Sequence, residues 1–398
     1  MGPEARRWAL VLSGLSGGGA QRRTLLLARG FLERGYRVDL VTPRPEGPFR
    51  AQVPPGARIV ALGSPLGRLP GVASRRGLWV AAATPALARY LRRERPEAVL
   101  STSAPANLSA LWARRWSGAP VPVVATVNVH LSASTGERQR AWGPWVRRLL
   151  CRAYPKADAL VAISRGVAED LRRRTGVPAC RVVTVYNPVD VDEVVRRAAE
   201  PVDHPWLRPG APPLVVSAGK LRLQKDFPTL LRGFARLRAR RPARLVILGE
   251  GEERGRLERL AGELGVARDV LLPGFVENPF AWMARGAAFA LSSAWEGLSN
   301  VLLEALACGC TVVSTDCPSG PAEVLAGGRY GALVPVGDAQ ALAEALLHAL
   351  DAPADPEAQR ARARRFSVGA AVEAYLEVLE TVAGSGRRTP ACGRHRSG

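Results

Sequence analysis

Short runs of β-branched and aliphatic residues recur along this chain with helical stretches between most of them, and that alternation narrows the fold more than any single motif. The first series is Trp8 to Leu12, Arg37 to Val41, Arg58 to Leu62, Ala98 to Leu100, Val121 to Thr126, Ala159 to Ile163 and Val182 to Tyr186. A second series starts at Leu214 to Ala218 and continues through Leu245 to Leu248, Val270 to Leu272, Ala287 to Leu291 and Thr311 to Ser314. Strands that alternate with helices enter a parallel sheet covered on both faces. Asn187-Pro188 and the proline-rich piece from Pro201 to Pro213 part the two series. The chain therefore reads as two α/β domains, 1–190 and 213–365, with a linker at 191–212 and a last helix at about Val368 to Val382. Open parallel sheets bind ligands at the carboxyl ends of their strands, so a cleft between two such domains is the expected site.

A length of 398 residues, 47% of them hydrophobic, is enough for two domains with their own cores. No apolar run reaches the roughly 18 residues of a membrane span. Arg6-Arg7 followed by WALVLSGL imitates a signal peptide, but the apolar run gives way to SGGGAQRR and not to a small-residue cleavage site, so it reads as strand and glycine loop. Six cysteines without regular spacing fit a reducing cytosol.

Charge is concentrated at one end. Residues 1 to 150 carry 23 basic against 7 acidic residues, a surplus of 16 out of a net +21. Such a surface attracts phosphates, whether of nucleic acid or of an anionic membrane leaflet. Trp79, Trp112, Trp116, Trp142 and Trp145 are interleaved there with Arg75, Arg76, Arg114, Arg115, Arg147 and Arg148, a mixture suited to lipid headgroups. No nucleic-acid-binding signature accompanies the charge, so nucleic acid is not expected as a partner. With 56 Lys and Arg of which only three are Lys, compositional bias and a merely solvated basic face are the plain alternative.

The stretch LSSAWEGLSNVLLEALACG, Leu291 to Gly309, carries the strongest chemical signal. It reads as a strand end, a turn at Glu296-Gly297, and a helix that opens near Asn300 as N-cap and closes on Gly309. Val301, Leu302, Leu303, Ala305, Leu306 and Ala307 leave that helix no solvent face, with Glu304 as its one charge. A buried carboxylate needs donors. An arginine from elsewhere would serve structurally. A ligand whose hydroxyls donate to Glu304, while the amides of Gly297 to Asn300 hold a phosphate, would serve functionally, and hydroxyls plus phosphate describe a nucleotide. Two of the three lysines, Lys220 and Lys225, sit just beyond the first strand of the second series. They suit a diphosphate, unless their clustering is chance.

Glu296 and Glu304, followed by Gly309 and TVVSTD, resemble the E-x7-E signature of the retaining glycosyltransferases of family 4, which have the GT-B fold. SGGGAQ, YNPVD, SAGKLRLQKDF, LVILGEGEE, LLPGFVENP and TDCPSGPAEVL resemble further family segments, so the likeness spans nearly the whole chain. It implies two Rossmann-like domains facing across a cleft: an acceptor-binding domain, a nucleotide-sugar-binding domain, a helix at 366–383 returning to the first, and a disordered basic tail at 384–398.

The resemblance also implies roles. Gly18 and Gly19 form a wall of the donor phosphate site, although a glycine turn alone is equally a tight turn. Lys220 and Lys225 touch the donor phosphates; the family commonly has Arg where Lys220 stands, a departure that bears on donor affinity. Glu296 lies near the transferred sugar, with Gly297, Leu298, Ser299 and Asn300 at the phosphates and Glu304 on the ribose. Gly249, Phe275 and Val276 flank the base, or else serve as turn and core residues. His130 sits near the reacting sugar, or is a structural hydrogen-bonder, and Asn128 is a second polar candidate. Glu296, Lys225 and His130 form the catalytic set. Asp190-Val191-Asp192 imitates a metal-binding Asp-x-Asp but belongs to the junction, and Cys308, Cys310 and Cys317 lack a fourth ligand and read as small core residues. No metal or other cofactor is expected.

The resemblance, together with the basic, Trp-bearing first region, implies a cytoplasmic, peripheral membrane enzyme that moves a sugar from a nucleotide-sugar, most simply a UDP-sugar, to a lipid-linked or saccharide acceptor in cell-surface glycan synthesis. The alternatives are a basic nucleotide- or nucleic-acid-binding protein without transferase activity and a nucleotide-sugar epimerase of the same architecture. The latter lacks the Glu pair.

Overall fold

A computed structural model of the chain describes residues 6–16, 18–63, 81–132 and 144–384. Gly17, Arg75, Arg76, Trp79, Trp142, the Trp145 side chain and the tail from 385 lie outside the described residues. Two compact units emerge, one running to Pro188 and resuming at Val368, the other Val189–Ser367.

Unit 1 carries β1 (Arg7–Val11), β2 (Arg37–Thr42), β3 (Arg58–Ala61), β4 (Ala98–Ser101), β5 (Val123–Val127), β6 (Ala159–Ala162) and β7 (Val182–Thr184) in the order β3-β2-β1-β4-β5-β6-β7. Each neighbouring pair is parallel, with Trp8 in register with Val38 on one side and Ala98 on the other. Helices α1 (Gly19–Glu33), α2 (Thr84–Glu94), α3 (Ala104–Ser117), α4 (Pro144–Ala153) and α5 (Arg165–Thr175) join the strands. Strand interiors are buried on both faces, as a covered parallel sheet requires.

Unit 2 opens with α6 (Val191–Ala198) and carries β8 (Leu214–Ala218), β9 (Arg244–Leu248), β10 (Val270–Gly274), β11 (Ala288–Leu291), β12 (Val312–Thr315) and β13 (Ala332–Val334) in the order β10-β9-β8-β11-β12-β13, also parallel. Its other helices are α7 (Phe227–Arg240), α8 (Arg254–Glu263), α9 (Pro279–Met283), α10 (Asn300–Ala307), α11 (Pro321–Val324), α12 (Ala339–Asp351) and α13 (Pro356–Arg364). The last helix, α14 (Val368–Gly384), belongs to unit 1.

Two features differ from the sequence reading. The segment 191–212, expected as a linker, is part of unit 2: α6 packs on α9 and α10, and the Arg244 guanidinium lies 5.0 Å above the Trp206 ring. The composition there is proline-rich because the chain turns repeatedly, and Val191, Val194 and Ala198 still give α6 a buried face. Strand β13 escaped notice because it is three residues long and partly exposed.

Helix α14 joins unit 1 through an apolar face of Ala371, Val372, Tyr375, Leu376 and Leu379, which enters the same core as Trp8, Leu27 and Phe31. Burying a large side chain of this kind contributes about 1.5–3 kcal/mol. The α1–α14 approach is close enough that a Cβ at Gly30 would fall 2.4 Å from a Val372 methyl, so this crossing requires glycine.

Candidate functional site

Strand order in the unit 2 sheet reverses between β8 and β11, and ligands of open parallel sheets bind beyond the carboxyl ends at such a switch point. The loops leaving those two strands are tied together there. Lys225 Nζ lies 2.6 Å from Glu296 Oε1, with 15% and 7% of the two side chains exposed. Ser293 Oγ also donates to Glu296 Oε1 at 2.8 Å, and Gln224 Nε2 to its Oε2 at 3.3 Å. The backbone reinforces the junction, with Ala294 N donating to Gln224 O at 2.8 Å and Ser292 Oγ to Lys225 O at 2.7 Å.

Local geometry aims the lysine. Its stem passes over Gly219, where a Cβ would fall 3.0 Å from Lys225 Cε. The next residue, Asp226, has φ +43°, a left-handed conformation that costs a non-glycine residue roughly 1 kcal/mol or more. Thr229 Oγ1 donates to Asp226 Oδ2 at 2.7 Å and fixes that turn as α7 begins. Lys220, earlier in the same loop, is exposed.

Helix α10 follows Glu296. Ser299, and not Asn300, occupies the N-cap position, and Asn300 is the first helical residue. The Ser299 hydroxyl is buried without a hydrogen-bond partner. Gly297 and Leu298 are buried beneath Gly320, where a Cβ would meet Leu298 Cα at 3.1 Å. Ser319 beside it is left-handed at φ +68°, with a second unpartnered buried hydroxyl. The helix closes with Gly309 at φ +81°, Gly309 N donating to Leu306 O and Cys310 N to Ala305 O, the Schellman arrangement.

Glu304 departs from expectation. Asn300, Val301 and Glu304 are all half-buried, so α10 has a partly open stripe along one turn. Glu304 is therefore not locked in an apolar interior.

Gly249 is a packing requirement. At φ +142°, a Cβ there would fall 2.0 Å from Gly219 O, and its N–H already donates to Gly274 O at 2.8 Å. Phe275, one residue past β10, is 82% exposed and is not a core residue; Val276 beside it is half-buried.

In unit 1, Gly18 is the N-cap of α1 at φ +129°, its carbonyl accepting from Gln21 N and Arg22 N, and Gly19 starts the helix. His130 is not isolated. Its Nδ1 stands 3.5 Å from Asp170 Oδ2, a carboxylate that also accepts from Ser132 N and the Ser132 hydroxyl. Burial holds the imidazole below the usual histidine range; Arg173 and Arg174 push the same way and Asp170 opposes them. Asp190 caps α6 by accepting from Glu193 N at 3.2 Å, and Asp192 lies in the first turn of the helix, where a negative charge suits the dipole. Cys308, Cys310 and Cys317 are buried, and burial pushes the Cys317 thiol up to about 12.

The structure thus brings Lys225, Glu296 and the start of α10 together, with Lys220 in the same loop, and leaves Glu304 one turn along the helix. Sequence reasoning passed over Gln224, Ser293, Ser319 and Arg23. Only adjacency to strand ends marked the first two.

The model described as Glycosyltransferase Family 4 matches residues 17–193, and that described as Glycosyl transferases group 1 matches 212–352. Along both units the chain is thus similar to glycosyltransferases of the family 4 type. Similar relatives include the N-acetylgalactosamine-N,N'-diacetylbacillosaminyl-diphospho-undecaprenol 4-alpha-N-acetylgalactosaminyltransferase of Campylobacter jejuni, 36% identical over 50% of this chain and 52% of the relative. The lipopolysaccharide core biosynthesis glycosyltransferase LpsE of Rhizobium meliloti is 32% identical over 57% and 65%. The chain thus spans about half to two thirds of the length of these curated relatives. Among solved structures, Anabaena HepE in complex with UDP-glucose superposes with a TM-score of 0.75 at 18% identity, covering 94% of this chain and 99% of that one. Sucrose-phosphate synthase from Thermosynechococcus elongatus gives 0.77 at 19% over 95% and 99%. The two parallel-sheet units of this chain are those of the GT-B fold.

Proposed function

We propose that this protein transfers a sugar from a nucleotide-sugar, a UDP-sugar first, to a lipid-linked or saccharide acceptor in cell-surface glycan synthesis, with retention of anomeric configuration. The observation that carries the reading is the Lys225–Glu296 pair at the β8/β11 switch point, directly before the N-terminus of α10. Matches to two glycosyltransferase family models, relatives named as lipopolysaccharide and undecaprenol-linked glycosyltransferases, and a fold neighbour bound to UDP-glucose all support it.

In this reading Lys220, Lys225 and the first amides of α10 stabilise the charge that grows on the leaving diphosphate. Removing one preorganised donor of this kind costs about 10²–10³ in rate. The bond from the sugar's anomeric carbon to the phosphate oxygen breaks, and an acceptor hydroxyl attacks the same face. Its proton passes to the departing phosphate oxygen. Glu296 faces the sugar, Glu304 accepts from ribose hydroxyls, and His130 contacts the reacting sugar. No metal or other cofactor is required.

The acceptor side rests on charge. At the amino ends of β4 to β7 a groove of about 980 Å³ is lined by Arg95, Arg114, Arg115, Lys156 and Arg181 around Trp112, and Trp116 nearby is 54% exposed. We read this face as a contact for an anionic membrane, on the inner side of the cytoplasmic membrane, where each basic group would add about 1 kcal/mol. No helix among the described residues is long and apolar enough to cross a membrane.

A thermal-shift screen of UDP-, GDP- and ADP-sugars tests the donor assignment. A ligand at 100-fold excess over its dissociation constant adds about 2.7 kcal/mol. Absence of stabilisation by every nucleotide-sugar would end the transferase reading. Sedimentation with vesicles with and without phosphatidylglycerol at low salt tests the membrane assignment, and equal binding to both would end it.

A further inference from the structure

Arg23 on α1 is 2% exposed, yet no carboxylate among the described residues is bonded to it. A guanidinium has five N–H donors. Nη1 donates to Asn128 Oδ1 at 2.8 Å and to Asn187 Oδ1 at 2.7 Å, while Nε and Nη2 are buried without a partner. A desolvated cation held only by neutral amides is costly, and buried donors of this kind call for a partner.

The location narrows that function. Strand order in the unit 1 sheet reverses between β1 and β4, so its switch point lies where β1 gives way to α1 and β4 to α3. Arg23 stands in the second turn of α1, and long helical side chains point back toward the helix N-terminus. Asn128 leaves β5 at the same carboxyl edge and donates to Thr102 O at 2.7 Å, just past β4. Two more polar atoms there are buried without partners, Gln21 Oε1 and the hydroxyl of Ser103 at the N-cap of α3. The N-terminus of the 15-residue α1 favours an anion, and Arg23 adds a full charge and planar donors to it.

We propose that Arg23 is the phosphoryl-recognising residue of unit 1, its unused Nε and Nη2 donors completed by an anionic phosphate oxygen of a substrate. This rests on the transferase reading, in which the nucleotide donor and a diphospholipid acceptor both carry such oxygens. Asn128 and Asn187 are positioning residues that fix the plane of the fork. Thr102 O in turn holds the Asn128 amide in the orientation that presents Oδ1 to Arg23.

The test uses the full chain and three probes, UDP, inorganic pyrophosphate and a short-chain prenyl diphosphate, with Arg23→Met, Arg23→Lys and wild type compared by thermal shift and calorimetry. Charge-assisted hydrogen bonds of this kind make the expected loss about 10- to 100-fold in affinity for at least one phosphate probe in Arg23→Met, with Arg23→Lys in between. The probe that loses affinity identifies the source: UDP the donor, the prenyl diphosphate the acceptor. Arg23→Met should also unfold in urea at an equal or higher midpoint when ligand-free, because a buried unbalanced charge has been removed. A purely structural arginine would lower it. If Arg23→Met does not fold, Arg23→Lys carries the same affinity comparison. Unchanged affinity for all probes in a folded variant overturns the proposal while leaving the transferase reading intact, and failure of wild type to bind any phosphate probe overturns both.

Discussion

Lys225 Nζ and Glu296 Oε1 meet at 2.6 Å across the switch point of the unit 2 sheet, joining the loop that leaves β8 to the loop that leaves β11. Two residues the sequence assigns to different parts of a donor thus hold each other. The pair sets the geometry of the α10 N-terminus, and a diphosphate that recruits Lys225 would compete with Glu296 for it.

Lys225→Met should therefore lower stability as well as turnover. Removing one partner of a buried ion pair costs about 3–5 kcal/mol where the survivor is left without donors. Glu296 keeps Ser293 and Gln224, so the loss should fall at or below the lower end of that range. A urea-unfolding cycle of Lys225→Met, Glu296→Gln and the double variant should give a coupling of about 0.5–3 kcal/mol. Strict additivity would mean that the backbone bonds alone join the loops.

Glu304→Gln should separate binding from folding. The residue is half-buried on α10, so stability should change by less than the about 3–5 kcal/mol that removing one partner of a fully buried pair costs. Loss of a charged acceptor for ribose hydroxyls should raise the KM for donor by about 10-fold or more, with kcat little changed. Steady-state kinetics with a fixed acceptor reads both, and an unaltered KM would remove Glu304 from the donor site.

Much of this was legible in the residues. The twelve expected strands correspond to β1–β12 because each is a short apolar run bounded by turn residues, the pattern that a covered parallel sheet imposes. The Leu291–Gly309 stretch announced its helix and its glycine stop for the same kind of local reason. What stayed hidden depends on residues distant in sequence. Nothing in SSAWEGLS says that Glu296 meets Lys225, 71 positions away. The partial exposure of Asn300, Val301 and Glu304 depends on what packs around α10, and no periodicity within the helix encodes that. Arg23 was invisible among 22 other basic residues in the first 150, since burial and lack of a counter-charge are properties of packing.

His130 predicts a pH dependence with a definite sign. Its folded value is held below that of the unfolded chain, about 6.5, first by burial. Between the two values the unfolded state binds more protons, so stability rises with pH through that window and is flat above it. As pH falls through the folded value the contribution is lost. Midpoints of urea unfolding between pH 5 and 8 should show that slope in wild type and a shallower one in His130→Asn. A steeper slope in the variant would contradict the burial assignment.

Gly249→Ala should be poorly tolerated although no side chain is lost. A Cβ at this position would stand 2.0 Å from Gly219 O, and φ is +142°. The strand ends of β8 and β9 would have to part, at a cost of about 1–3 kcal/mol or more. Gly262→Ala, in α8 with open space where the Cβ would go, should instead stabilise by about 0.5–1 kcal/mol. The same sign for both would show that steric contact at Gly249 does not govern the result.

Phe275→Ser makes the opposite separation. An aromatic ring 82% exposed one residue past β10 adds little to folding, so thermal stability without ligand should stay within about 0.5 kcal/mol of wild type. If the ring stacks on the base of the donor nucleotide, its removal should weaken UDP binding by about 1–3 kcal/mol, the range for base–aromatic stacking. Calorimetric titration with UDP and with pyrophosphate distinguishes the cases: a loss confined to UDP assigns Phe275 to the base, equal losses for both ligands point to a rearranged loop, and no loss for either leaves the ring outside the site. Phe275→Trp supplies the positive control, since a larger ring on the same backbone should retain or tighten UDP binding and leave pyrophosphate unaffected.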